Sequence, residues 1–304
     1  MSGSNQKTLL SLFLVSVLWG CNYPVSAYLL QGFSPVFLST VRICSTSIFL
    51  IILAFVFKGM KRPTRQEWKY LIGVGVFGTL PNQTFYFTGL KHTTPANASL
   101  ILALSPIATI LLERFIFKIK LTLKKASGAL ISLLGVFSII GVGKGSLGIS
   151  WGDFNIVIAM LCLCISLLFI RGLSKTMNSL VITIYATVLG SVLMIPAAGV
   201  EGMVSGSVIS HSIFMWLLLI CAGILAQGVA GFWWNKGVAK AGAGTASMFM
   251  NIQPFVAIIA SHFILGNPIL VSQIIGGILV LSGVYIANLP SAKPILRTET
   301  KYLA

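Results

Sequence analysis

The sequence is short of charge, and above all of negative charge. Only 9% of its 304 residues are charged and only five are acidic, where a soluble domain carries about a quarter charged residues. Histidine is equally scarce, at three. This excludes an ordinary water-soluble domain and leaves little material for acid–base or metal chemistry. His92, His211 and His262 show no ligand spacing, so no metal or cofactor is expected and an enzyme is disfavoured. The cysteines form no disulfide framework: Cys21, Cys44, Cys162, Cys164 and Cys221 are odd in number and all lie in apolar runs.

Apolar residues dominate instead. They make up 56% of the chain, with 30 glycines, 19 phenylalanines and a mean hydropathy of +0.96. A spanning helix takes roughly 20 apolar residues. Breaking the chain at charges and turn residues gives ten such segments, 9–30, 34–57, 68–90, 94–117, 123–142, 151–173, 179–199, 212–235, 243–265 and 269–289. The loops between them are too short for a catalytic domain, an ectodomain or an ATPase. Tethered enzymes, large receptors and ATP-driven pumps are therefore excluded. The expected fold is an all-α integral membrane protein of ten transmembrane helices. The N-terminal run faintly resembles an export signal, but it continues past Cys21 to Leu30 without a small-x-small cleavage site, and it reads as a retained first span.

A net charge of +16 in a soluble protein points to nucleic acid. Here it is topological, because basic residues collect in cytoplasmic loops. With ten spans, eighteen of the 21 Lys and Arg fall on one side, only Lys91 and Lys144 on the other, and Arg42 lies inside a span. Both termini are expected to be cytoplasmic, and no nucleic-acid partner is expected.

The chain also matches itself at an offset of 148. Gly89 meets Gly237, Ala98-Ser99 meets Ala246-Ser247, Pro106 meets Pro254, Gly128 meets Gly276 and Gly135 meets Gly283. Matched glycines and prolines are helix-shaping residues, so duplication is the better explanation than shared composition. The first unit spans 1–142, the second 143–289, and 290–304 is a cytoplasmic tail. Five spans is an odd number, so the second unit must enter the membrane from the opposite side. Two inverted repeats around a midplane site are the arrangement of alternating-access carriers.

Trp19-Gly20-Cys21-Asn22-Tyr23, Pro35 followed by Arg42, the paired Ala-Ser…Pro segments and the paired Gly…Gly segments together resemble the EamA-type members of the drug/metabolite transporter superfamily. The resemblance runs over nearly the whole chain. It implies a ten-helix, five-plus-five carrier in a bacterial plasma membrane that exports amino acids or related small metabolites. Many relatives carry a Glu just after the ninth span, where this chain has Leu265-Gly266-Asn267. A coupling role for that Glu does not transfer.

Arg42 lies about 12 Å into its span. A cation there costs roughly 2.5–3.5 kcal/mol unless it faces a cavity, a carbonyl or an anion, so a structural tie to helix-end carbonyls and contact with a substrate carboxylate both remain open. Pro24, Pro81, Pro106, Pro196 and Pro254 are expected to interrupt spans and free carbonyls; Pro106 and Pro254, in matched positions, are the best pointer to a site. Trp19, Asn22, Tyr23, Asn82, Gln83, Tyr86, Ser99, Gln227, Asn251 and Gln253 are the polar and aromatic candidates beside those breaks, and Asn97 is another. Buried amides need partners, which a central cavity supplies. Trp151, Trp233 and Trp234 lie near span ends, where interfacial anchoring is the expected role. The paired glycines read as helix-packing seams. Glu113 and His262 are the titratable groups nearest a pathway, and uniport, exchange and proton antiport are left level. A lipid or headgroup flippase, or a flippase subunit, is the alternative to a metabolite carrier, and a homodimer is compatible with either. Two sequons, at Asn82 and Asn97, fall in spans, and Gly141–Gly145 lacks the full P-loop pattern; neither carries function.

Overall fold

The computed structural model describes residues 3–57, 62–117, 123–142, 150–241 and 249–288. Helix follows helix: α1 Gly3–Leu29, α2 Pro35–Phe57, α3 Arg65–Gly78, α4 Leu80–His92, α5 Pro95–Leu102, α6 Ser105–Phe117, α7 Leu123–Val142, α8 Trp151–Leu173, α9 Ser179–Ser205, α10 Ile213–Gly223, a π-helical turn Ile224–Val229, α11 Ala230–Ala241, α12 Gln253–Leu265 and α13 Val271–Asn288. Among the described residues the only strand-like pairing is one bridge, Phe33 with Ile209. Six stretches among the described residues are long and apolar enough to cross a membrane: Gln6–Leu29, Pro35–Phe55, Pro95–Ile116, Trp151–Leu173, Ser179–Ser205 and Ile213–Trp234. Large apolar side chains point outward, Phe115 at 79% and Phe263 at 81% exposed, as in a protein whose surroundings are hydrocarbon. The chain is a multi-pass membrane protein.

Most of the expected spans have a helical counterpart among the described residues, though the start of the ninth lies outside them, and several are two helices end to end. The third divides at Thr79, where Pro81 opens α4. The fourth divides at Ala103-Leu104, ahead of Pro106, and the ninth at Asn251-Ile252, ahead of Pro254. The last two breaks are 148 residues apart. Proline lacks the N–H an interior turn needs but fits a first turn without penalty, so the helix restarts there. Pro24 and Pro196 behave otherwise: both lie inside helices that run through them. The expected break at Pro24 is thus corrected, because one missing bond in a 27-residue helix leaves the ladder intact on either side.

Offset 148 also relates Thr79 to Gln227, the middle of the π-helical turn. Regular helix is interrupted at both positions, at one by a proline restart and at the other by a widened turn. No local sequence signal marks the second. It is held by its surroundings: Gly223 packs on the Arg42 carbonyl, and Gly228 on the Phe49 ring.

Helices α7 and α13 pack against each other antiparallel. A Cβ on Gly128 would lie 2.4 Å from the Gly283 carbonyl oxygen, and one on Gly135 would lie 2.7 Å from that of Gly276. Each glycine therefore touches the residue that lies 148 positions from the other. Between them Ser132 Oγ donates to Val280 O (3.0 Å), and these two residues are themselves 148 apart.

Candidate functional site

A cavity of about 880 Å³ lies inside the bundle. Trp19, Asn22 and Tyr23 reach it from α1, Arg42 from α2, Asn82, Gln83 and Tyr86 from α4, and Ser99 from α5. Gln227 comes from the π-helical turn, and Asn251 and Gln253 from the break before α12. Pro106 and Pro254 line it as well. The polar and aromatic residues named from sequence as candidate ligands all meet in this one space. The outliers are Pro24, which is not in the lining, and Asn97, whose Oδ1 accepts from Gln273 Nε2 (3.1 Å).

The cavity is polar because helices are broken around it. Trp19 Nε1 donates to the Ala226 carbonyl (2.6 Å), which lies in the π-helical turn. Thr46 Oγ1 donates to Gly223 O (3.1 Å) one turn before it. Asn82 Nδ2 donates to Ala159 O (2.7 Å), and its Oδ1 accepts from Gln83 Nε2 (3.1 Å). Tyr23 and Tyr86 meet edge to face at 6.3 Å. Trp234, expected at an interface, sits instead 5.2 Å from the Trp19 ring, whereas Trp151 is 69% exposed.

Arg42 is the only charged residue in the lining among the described residues. Its side chain is 1% exposed. Nη1 donates to Ser26 Oγ (2.6 Å) and Nη2 to Asn22 Oδ1 (2.7 Å), and the guanidinium lies 5.5 Å from the Phe87 ring centre. Its Nε and the Nε2 of Gln253 are buried without partners among the described residues. The structural tie weighed from sequence takes the form of two side-chain acceptors on α1, not helix-end carbonyls.

The two coupling candidates are elsewhere. His262 ends α12, its Nδ1 2.9 Å from Asn267 O, and it does not line the cavity. Glu113 belongs to α6, but its side chain lies outside the described residues.

Toward the α1–α2 turn the bundle is sealed. Phe37 lies five residues, about 7.5 Å of helix, beyond Arg42. It stacks near Phe33, and both rings meet Trp216, at 6.0 and 5.2 Å. Ser34 precedes Pro35 and is the natural N-cap of α2. Its Oγ instead accepts from Val208 N (2.7 Å), while its own N–H donates to Val208 O (3.0 Å). The free N–H groups of α2 go to Glu201, whose carboxylate accepts from Val36 N (3.0 Å) and Phe37 N (2.8 Å). Glu201 is not among the residues singled out from sequence, because a cap supplied from 165 positions away has no local signature.

The EamA-like transporter family model matches twice, over residues 6–141 and 150–289. An uncharacterized transporter of Bacillus subtilis, YyaM, is 31% identical over 90% of this chain and 90% of its own length. A probable terminal-alkyne amino-acid exporter of Streptantibioticus cattleyicolor is 23% identical over 93% of each chain. One solved crystal structure, 18% identical, superposes with a TM-score of 0.65 over 93% of this chain and 97% of that one, a likeness of fold. On this evidence the chain belongs to the EamA-like transporter family.

Proposed function

We propose that this protein is a secondary carrier that moves small metabolites, amino acids or related compounds, out across a bacterial plasma membrane by alternating access. Its ten spans form two inverted units, 1–142 and 143–289, with the tail 290–304 and both termini in the cytoplasm. The observation that carries the reading is the cavity, to which both units contribute side chains at matched helix breaks. Irregular backbone at membrane depth is tolerated where it lines such a space. The antiparallel exchange of Gly128 and Gly135 with Gly283 and Gly276 supports a pseudo-two-fold axis between the units. The double match of the family model supports their boundaries.

In this reading the Phe33–Phe37–Trp216 cluster and the Glu201 cap are the outer gate, closed here. Opening it requires α2 to leave Glu201 and α9. Among the described residues the lining holds no Asp, Glu, His, Lys or Cys, which favours a binding site over the converging acid, base or metal set an enzyme uses.

Proteoliposomes carrying the purified protein and preloaded with an amino-acid mixture test the proposal, with and without an imposed pH gradient. Protein-dependent efflux, accelerated by substrate on the opposite side, is the expected outcome. Headgroup-dependent lipid movement with no metabolite flux would transfer the protein to the flippases.

A further inference from the structure

The cavity holds a buried positive charge with no counter-ion in its lining among the described residues. Arg42 keeps its proton at any physiological pH, and both of its acceptors, Ser26 and Asn22, are neutral. The carboxylates whose side chains are described are engaged at helix ends. Glu67 completes the capping box of α3, Asp153 accepts from the Thr93 hydroxyl, and Glu201 caps α2. None of them lines the cavity. Two buried donors there, Arg42 Nε and Gln253 Nε2, lack acceptors among the described residues. A buried donor left unsatisfied is costly, and a buried cation without an anion more so.

A ligand that brings one negative charge and two acceptor oxygens supplies what is missing. The rest of the lining mixes aromatic and apolar side chains such as Trp19, Tyr86 and Leu163 with neutral amides and hydroxyls such as Asn82, Gln227 and Asn251. It offers an ammonium group ring faces and neutral oxygens, but no carboxylate among the described residues. We infer that the site selects organic monoanions, a single carboxylate on an apolar body, over zwitterions and amines of the same shape. The inference rests on the carrier reading and ranks acids whose amino group is absent or blocked ahead of free amino acids among its substrates.

Four probes share one phenyl body: 3-phenylpropionate, phenylalanine, phenethylamine and 3-phenylpropanol. Their binding to the purified full-length protein is read from intrinsic tryptophan fluorescence, since Trp19 lines the cavity. The acid is expected to bind about tenfold tighter than phenylalanine, the scale of one charge-assisted hydrogen bond, and the amine weakest. Arg42→Gln should bring the four within about threefold of one another. Asn22→Asp keeps Arg42 and places a carboxylate beside it, so it should abolish the preference for the acid even if Arg42→Gln fails to fold. Equal or tighter binding of phenylalanine or phenethylamine to the unaltered protein overturns the inference, as does binding of none of the four at millimolar concentration. Flux of the same probes in proteoliposomes separates the two readings. Transport of phenylalanine without preference for the acid sinks the inference and keeps the carrier. Binding of the acid without flux of any probe keeps the inference and counts against the carrier.

Discussion

In two places a helix meets its own counterpart at offset 148, and they are built from opposite materials. Where α7 meets α13, glycines let backbone touch backbone, and Ser132 Oγ to Val280 O is a hydrogen bond at the centre. Where α2 meets α9, polar side chains mediate the contact. Thr40 Oγ1 reaches Met194 O (3.2 Å), Ser47 Oγ reaches Ser191 Oγ (3.3 Å), and Glu201 holds the start of α2. The α2–α9 contact is also unequal at its two ends. The start of α2 depends on a carboxylate from α9, whereas α9 caps itself through Asn178, which accepts from Leu180 N (3.1 Å). Close-packed backbone has one arrangement; side-chain hydrogen bonds can be exchanged. The first contact suits a fixed pivot and the second a surface that parts.

The contrast is open to attack by substitution. Gly128→Leu drives a side chain into the Gly283 carbonyl and should cost about 3 kcal/mol or more, read as a large fall in the melting temperature of the detergent-solubilised protein. Glu201→Ala strands two backbone donors and should weaken the gate by about 2 kcal/mol. Its readout is faster labelling of a Phe37→Cys reporter by an impermeant maleimide, with a melting temperature that moves far less than in the glycine variant. Ser132→Ala should cost about 1 kcal/mol of stability and leave that labelling rate unchanged. Thr40→Val removes a long hydrogen bond at the parting surface, and its effect of about 0.5 kcal/mol should appear in labelling alone. If Ser132→Ala opens the reporter as readily as Glu201→Ala, the distinction between pivot and gate is wrong.

The sequence disclosed much of this molecule for identifiable reasons. Helix α8 matches its expected bounds because the chain between Asp153 and Arg171 is apolar except for Asn155 and Ser166. The breaks before Pro106 and Pro254 were legible because proline acts locally, and the cavity residues because amides in an apolar span must find partners. Long-range effects stayed hidden. Pro24 interrupts nothing, Trp234 turns inward onto Trp19, and Glu201 caps a helix in the other half of the chain. The π-helical turn is the clearest case, since its residues 224–229 read as plain helix and Trp19, Phe49 and the Arg42 backbone shape it from outside.

That turn stores one surplus residue, and its counterpart at Thr79 stores none. Absorbing the surplus into regular helix would advance α11 by about 100° around its axis, carrying Lys236 and Lys240 to another face. Among the described residues no second turn of this kind occurs. For the alternating-access carrier proposed above, the inward- and outward-facing shapes would then not be mirror images of one another.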